Sequence, residues 1–171
     1  MASLQSSTRA VAERTADAYS SSLKVLAVID GSERTGRVID YARRLKSRGH
    51  GLQVVVLGVV PEPATGRLRG YGSFKQAEVY AGLKERMHQR AVSAVARRLD
   101  QEKIAHVDRI EIGDPAATIL RISREVDADL ILLGDRPPGV LQRLLPAIGL
   151  SLATITNMIV QQATVPVVVV K

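Results

Sequence analysis

The stretch "DADLILLGDRPPGVLQRLLPAIGLSLATITNM", Asp127 to Met158, decides the fold. An apolar run, Leu130 to Leu133, enters Gly134, and a loop then leads into a helical pattern. Strand, glycine, loop and helix in that order are how α/β proteins build a phosphate cradle at the carboxyl end of a strand. Here Pro137 and Pro138 follow the glycine, and a proline has no backbone N–H to give a phosphate. The stretch therefore specifies a parallel α/β sheet and at once puts ordinary phosphate binding in question.

Working outward, strand and helix signals alternate along the rest of the chain. "KVLAVID", Lys24 to Asp30, is a continuous apolar run ending in a carboxylate, as expected of a strand buried on both faces. In "GSERTGRVIDYARRLKSRG", Ser32 is placed to cap a helix, Val38, Ile39, Ala42 and Leu45 recur at helical spacing, and Gly49 closes it. "LQVVVLGVV", Leu52 to Val60, is a second buried strand. "PEPATGRLRGYGSF" reads as a long mobile loop. A helix is expected over Lys75 to Lys103, with Val79, Leu83, Met87, Ala91, Val95 and Leu99 on one stripe. "HVDRIEI", His106 to Ile112, alternates apolar and polar residues, the mark of a strand near a sheet edge. Asp114 and Pro115 open the next helix in "GDPAATILRISREVDA", and "VPVVVVK" supplies the last strand.

This pattern predicts an α/β fold: a five-stranded parallel sheet flanked by helices in a three-layer sandwich. Residues 1–22 form a small polar extension and residues 23–171 the domain. If the most apolar strands are central, strands one and four flank the crevice where the strand order reverses, and Asp30 faces the Gly134 loop. Pro166 cannot donate a ladder hydrogen bond, which puts the final strand at an edge. An apolar edge needs cover, and pairing with a second copy is favoured over cover by the chain's own helices and extension.

Composition narrows the chemistry. The 171 residues include no cysteine, which excludes disulfides and thiolate chemistry, and His50, His88 and His106 lack metal-ligand spacing. The net charge of +7 suits nucleic acid in principle. The basic residues lie on helix-like stretches mixed with acids, and no RNA-binding aromatic motif or DNA-binding helix pair is present, so a nucleic-acid partner is disfavoured. No signal-peptide pattern occurs, and Gln142, Arg143 and Asn157 interrupt the most apolar window, so a membrane span is not expected. A cytoplasmic protein is the expectation. Glu13 and Asp17 argue against a transit peptide in the Ser/Ala/Arg-rich start.

Four segments together resemble the universal stress protein family: "VLAVIDGSE", "GDPAATIL", "ADLILLG" and the terminal "VPVVVV". The resemblance covers about Lys24 to Val170 and implies a five-stranded parallel sheet of the adenine nucleotide alpha hydrolase-like kind, and homodimers joined through the C-terminal strand. It also implies one class that binds ATP and one that does not. Binders carry Gly-x-x-Gly, nine residues, then Gly-Ser or Gly-Thr, a loop that wraps phosphate with amides and a hydroxyl. Here Gly134 matches the first glycine and Arg136 a common family residue, while Pro137 takes the second glycine position. Counting back from the C-terminus puts Ala153 and Thr154 at the Gly-Ser position, with an insertion around Pro146 to Ser151. The alternative alignment through Gly139 and Gly149 places Leu150 where a hydroxyl is wanted.

The resemblance further implies nucleoside contacts from Asp30 and Val59, so the site residues implied for an adenine nucleotide such as ATP are Asp30, Val59, Gly134, Arg136 and Thr154. Asp30 has an equal claim as a cap of the following turn. Arg67, Arg69 and Arg143 also fall in or beside loops on the crevice side. No nucleophile–base pairing stands out, so an enzyme is not expected. The expected function is a dimeric stress-response module acting through protein contacts, with weak or absent ATP binding. The alternative is an adenine-nucleotide sensor using the crevice between strands one and four.

Overall fold

The computed structural model describes residues 22–49, 51–62, 73–135 and 152–171. Five strands form one all-parallel sheet: β1 (Leu23–Ile29), β2 (Leu52–Val60), β3 (Ala105–Ile112), β4 (Leu130–Gly134) and β5 (Val167–Val170). Their order is β3-β2-β1-β4-β5, so the chain builds outward from β1 in one direction and then in the other. The reversal falls between β1 and β4, and β3 and β5 are the two edges. These are the positions the apolar runs, the alternating "HVDRIEI" and Pro166 predicted.

Helices α1 (Glu33–Ser47), α2 (Ser73–Met87), α3 (Ser93–Gln101), α4 (Pro115–Glu125) and α5 (Leu152–Gln162) flank the sheet. Two apolar layers result. Val25, Ala27, Val54 and Val56 face α1 and α3 on one side. Leu26, Leu57, Ile131 and Leu133 face α4 and α5 on the other. Leu26, Leu57 and Ile131 are fully buried, each contributing about 1.5–3 kcal/mol of transfer free energy. Because β1, β2 and β4 bury both faces, they read as unbroken apolar runs.

Three expectations need correction. Ser32 occupies the N-cap position of α1 but makes no cap bond; its Oγ is buried and has no hydrogen-bond partner among the described residues. The turn is held from the other side, by Asp30 Oδ1 accepting from Ser32 N–H at 2.9 Å. The helix expected over Lys75 to Lys103 is also not one uniform α-helix: a π-helical turn, His88–Val92, joins α2 to α3. The third correction concerns its stripe, since Val79 is exposed while Ala91, Val92, Val95 and Leu99 are buried. A row of residues strictly four apart advances about 400° per step on an α-helix, so it drifts by about 40° each time and leaves the core face. The wider π-turn absorbs that drift between Met87 and Ala91 and keeps both against the sheet.

The Asp114 cap forms as expected, accepting from Ala117 N–H at 2.8 Å with Pro115 at the first helical position. Gly49, at φ +87°, donates to Lys46 O just past α1. The "PEPATGRLRGYGSF" loop beyond Glu62 lies outside the described residues, as do the N-terminal extension, His50 and the loop after Asp135.

Candidate functional site

The sheet forks where its strand order reverses. β1 pairs with β4 only from Val25–Leu130 to Ala27–Leu132. Beyond that point β1 stays with β2 as far as Ile29–Gly58, while β4 stays with β5 as far as Gly134–Val170. The last residues of β1 and β4 therefore stand apart, and a cavity of about 390 Å³ opens between them. Ligands in open α/β sheets bind at this place, because loops leaving adjacent strands in opposite directions cannot fill it.

Three of the residues named from sequence meet there. Asp30, Val59 and Gly134 all line the cavity. Asp30 lies one residue beyond β1 and is exposed. Its reading as a cap holds, since Oδ1 holds the turn through Ser32 N–H, and the residue also borders the cavity. Thr154 lies in the first turn of α5, with Ala153 before it, which agrees with their assignment to a helix start. Arg136, Pro137 and the Gly139–Gly149 alignment fall outside the described residues, as do Arg67, Arg69 and Arg143.

The turn between β1 and α1 is built around a residue that sequence reasoning passed over. Thr35 is 8% exposed, and its Oγ1 accepts from Gly31 N–H at 3.2 Å and, more weakly, from Asp30 N–H at 3.4 Å. The same hydroxyl donates to Asp30 Oδ1 at 3.3 Å. One buried hydroxyl thus fixes both the backbone of the turn and the direction of the carboxylate. Gly31 makes the turn possible, with φ +74° and its α-carbon so near α2–α3 that an added Cβ would lie 3.1 Å from Ala91 Cβ. The signal that was available was a hydroxyl three residues after the N-cap serine, inside the first helical turn.

Gly134 is required for a different reason. A Cβ there would lie 3.0 Å from Arg34 Cβ, so the end of β4 and the start of α1 are in direct contact. Arg34 lines the cavity from this position, as Met87 does from the start of the π-turn. Ile119 on α4 and Ile155, Thr156 and Ile159 on α5 complete the far wall. Among the described residues that border the cavity, Asp30 and Arg34 are the ionisable ones. The site is thus an apolar slot with one acceptor carboxylate, one cation and two hydroxyls. Among the described residues no cluster of three His, Asp or Glu side chains could hold a metal ion.

A family model described as "Universal stress protein family" matches residues 22–171. No curated protein matches the chain. Among solved structures, universal stress protein UspA from Lactobacillus plantarum is similar with a TM-score of 0.63 and 20% identity, covering 87% of this chain and 97% of its own. A universal stress protein in complex with cAMP gives a TM-score of 0.54 and 19% identity over 89% of this chain and 98% of that one. The universal stress protein from Archaeoglobus fulgidus in complex with dAMP gives 0.52 and 20%, over 88% and 98%. At these identities the likeness speaks for the fold.

Proposed function

Because the chain belongs to the universal stress protein family, we propose that it is a binding module of the stress response rather than an enzyme, one that takes an adenine nucleotide in the forked crevice. The observation that carries this reading is the cavity itself. Its volume of about 390 Å³ falls within the range of small-molecule sites. Val59, Ile119 and Ile159 offer the apolar surface a flat purine needs, and Asp30 is an acceptor for ribose or exocyclic-amine donors. Solved relatives carry cAMP and dAMP, which are adenine nucleotides. Asp30 and Arg34 can hold a ligand, and no nucleophile paired with a base lines the cavity among the described residues, which favours binding over catalysis.

ATP is the weaker ligand in this proposal. Pro137 removes one amide donor at the position where the ATP-binding pattern wants glycine, and Ala153 replaces a second glycine. The module is also a homodimer paired along β5, a reading supported by four consecutive valines on an edge strand. Among the described residues no helix is long and apolar enough to cross a membrane.

The test is thermal. Adenine compounds at about a hundredfold over Kd should stabilise the wild type by about 2.7 kcal/mol, a rise of roughly 5–10 °C in Tm. Asp30→Ala should abolish most of that rise. A wild type that releases no nucleotide on denaturation and melts identically with adenosine, AMP and Mg-ATP would overturn the proposal.

A further inference from the structure

Arg34 is a cation in the wrong place for its helix. It is the second residue of α1, inside the first turn, where the helix dipole favours negative charge and disfavours positive charge by about 0.3–1 kcal/mol. Glu33 beside it follows that rule and Arg34 breaks it. Among the described residues no ion pair compensates, since the Arg34 guanidinium makes no hydrogen bond or salt bridge with any of them, whereas Arg98, Arg109 and Arg121 each pair with a carboxylate. Its side chain is nonetheless half-buried and borders the apolar cavity. A residue that breaks a local rule with no structural return is most economically explained by a ligand.

The place is informative as well. Arg34 Cβ packs against Gly134, the last residue of β4, where the chain leaves for the altered loop. Asp30 sits at the end of β1 with its carboxylate aligned by Thr35. The cavity therefore has its acceptor at the end of β1, and the side chain of its one cation among the described residues starts against the end of β4. We propose that Arg34 is the phosphate-binding residue of this site, and that the ligand is a nucleotide whose single phosphate is held by the guanidinium in place of the missing loop amides. This assignment rests on the adenine-nucleotide reading above and deepens it. A guanidinium presents a planar fork of N–H donors that matches two oxygens of one phosphate. One such fork grips the oxygens of one phosphate, so further phosphates gain little.

The experiment measures adenosine, AMP and ATP binding by calorimetry to the full chain as wild type, Arg34→Gln and Arg34→Lys. Wild type is expected to bind AMP about tenfold more tightly than adenosine, ~1.4 kcal/mol. Arg34→Gln should bind the two equally while keeping its adenosine affinity. Arg34→Lys should retain part of the advantage, as a point charge without the fork, and raised salt should shrink it. An AMP advantage that survives unchanged in Arg34→Gln overturns the role of Arg34 and leaves the nucleotide reading standing. ATP binding at least tenfold tighter than AMP overturns the single-phosphate class. Failure of all three ligands to bind wild type overturns the nucleotide reading itself, and this assignment with it.

Discussion

The two edges of this sheet solve one problem in opposite ways. An edge strand presents unpaired backbone groups that invite another strand. β3 answers with charge. On the face toward α4, Arg109 bonds Glu111 at 2.8 Å and Glu125 at 2.7 Å, and Arg121 closes the group onto Glu125 at 3.0 Å. β5 has no such device, being four valines, three of them half-buried and the fourth 8% exposed. The contrast teaches that an edge can be closed by its own side chains or left open for a partner. In this chain the charged edge lies beside β2 and the uncharged one beside β4, next to the site.

The largest effect should come from putting a β3-like charge on β5. Val169 belongs to neither apolar cluster and is half-buried, so Val169→Lys should leave the monomer fold intact. Light scattering should report twice the chain mass for wild type and the single chain mass for the variant, with the same circular dichroism. A monomeric wild type would remove the difference between the edges, and a variant that still pairs would move the interface elsewhere.

Both edges were legible in the sequence because each is a local pattern. Alternation in "HVDRIEI" and a proline before "VVVV" are period-two and donor-count signals that need no tertiary knowledge. The same holds for Asp30 and Gly134, which end apolar runs and so fall at the carboxyl ends of strands, whereas Val59 was implied by the family resemblance alone. The cavity wall was not legible in this way. Met87 reaches it because a π-turn interrupts the helix there, and helical periodicity alone does not announce a π-turn. Thr35 and Arg34 matter through contacts with the turn and with Gly134 that only the folded chain makes.

A second prediction tests the closed edge. Arg109→Ala removes one of the two cations, with Arg121, that Glu111 and Glu125 share, and Arg109 is 30% exposed and Glu125 47%. Solvent screening holds the expected loss to about 1 kcal/mol, or roughly 2–4 °C in Tm at neutral pH. The pH dependence gives the sign. The hydrogen bond from Arg109, opposed by burial, holds the Glu111 carboxyl below its ordinary 4.5. A depressed carboxylate contributes stability above its unfolded value and loses it as pH falls through the folded value. The Arg109 pKa is raised, first by Glu111 and then by Glu125, so the guanidinium stays charged across all workable pH and the carboxylates set the dependence. Wild type and Arg109→Ala should therefore differ most above about pH 5 and converge toward pH 3. A gap that widens in acid would mean the network does not hold this edge.

The smallest effect is expected where β3 most resembles β5. Val107 lies on the same face as Arg109 and Glu111 and is 56% exposed, an apolar side chain beside the charged pair. Val107→Thr keeps the branched shape a strand favours and adds a hydroxyl that water can satisfy, so stability should move by no more than about 0.5 kcal/mol. Urea unfolding resolves a change of that size if the slope stays constant. A loss above about 1 kcal/mol would mean Val107 is covered in solution, since only a desolvated hydroxyl costs that much. The β3 edge would then be open too, its charges would belong to an interface, and the division of labour between the two edges would fail at the strand where it looks most secure.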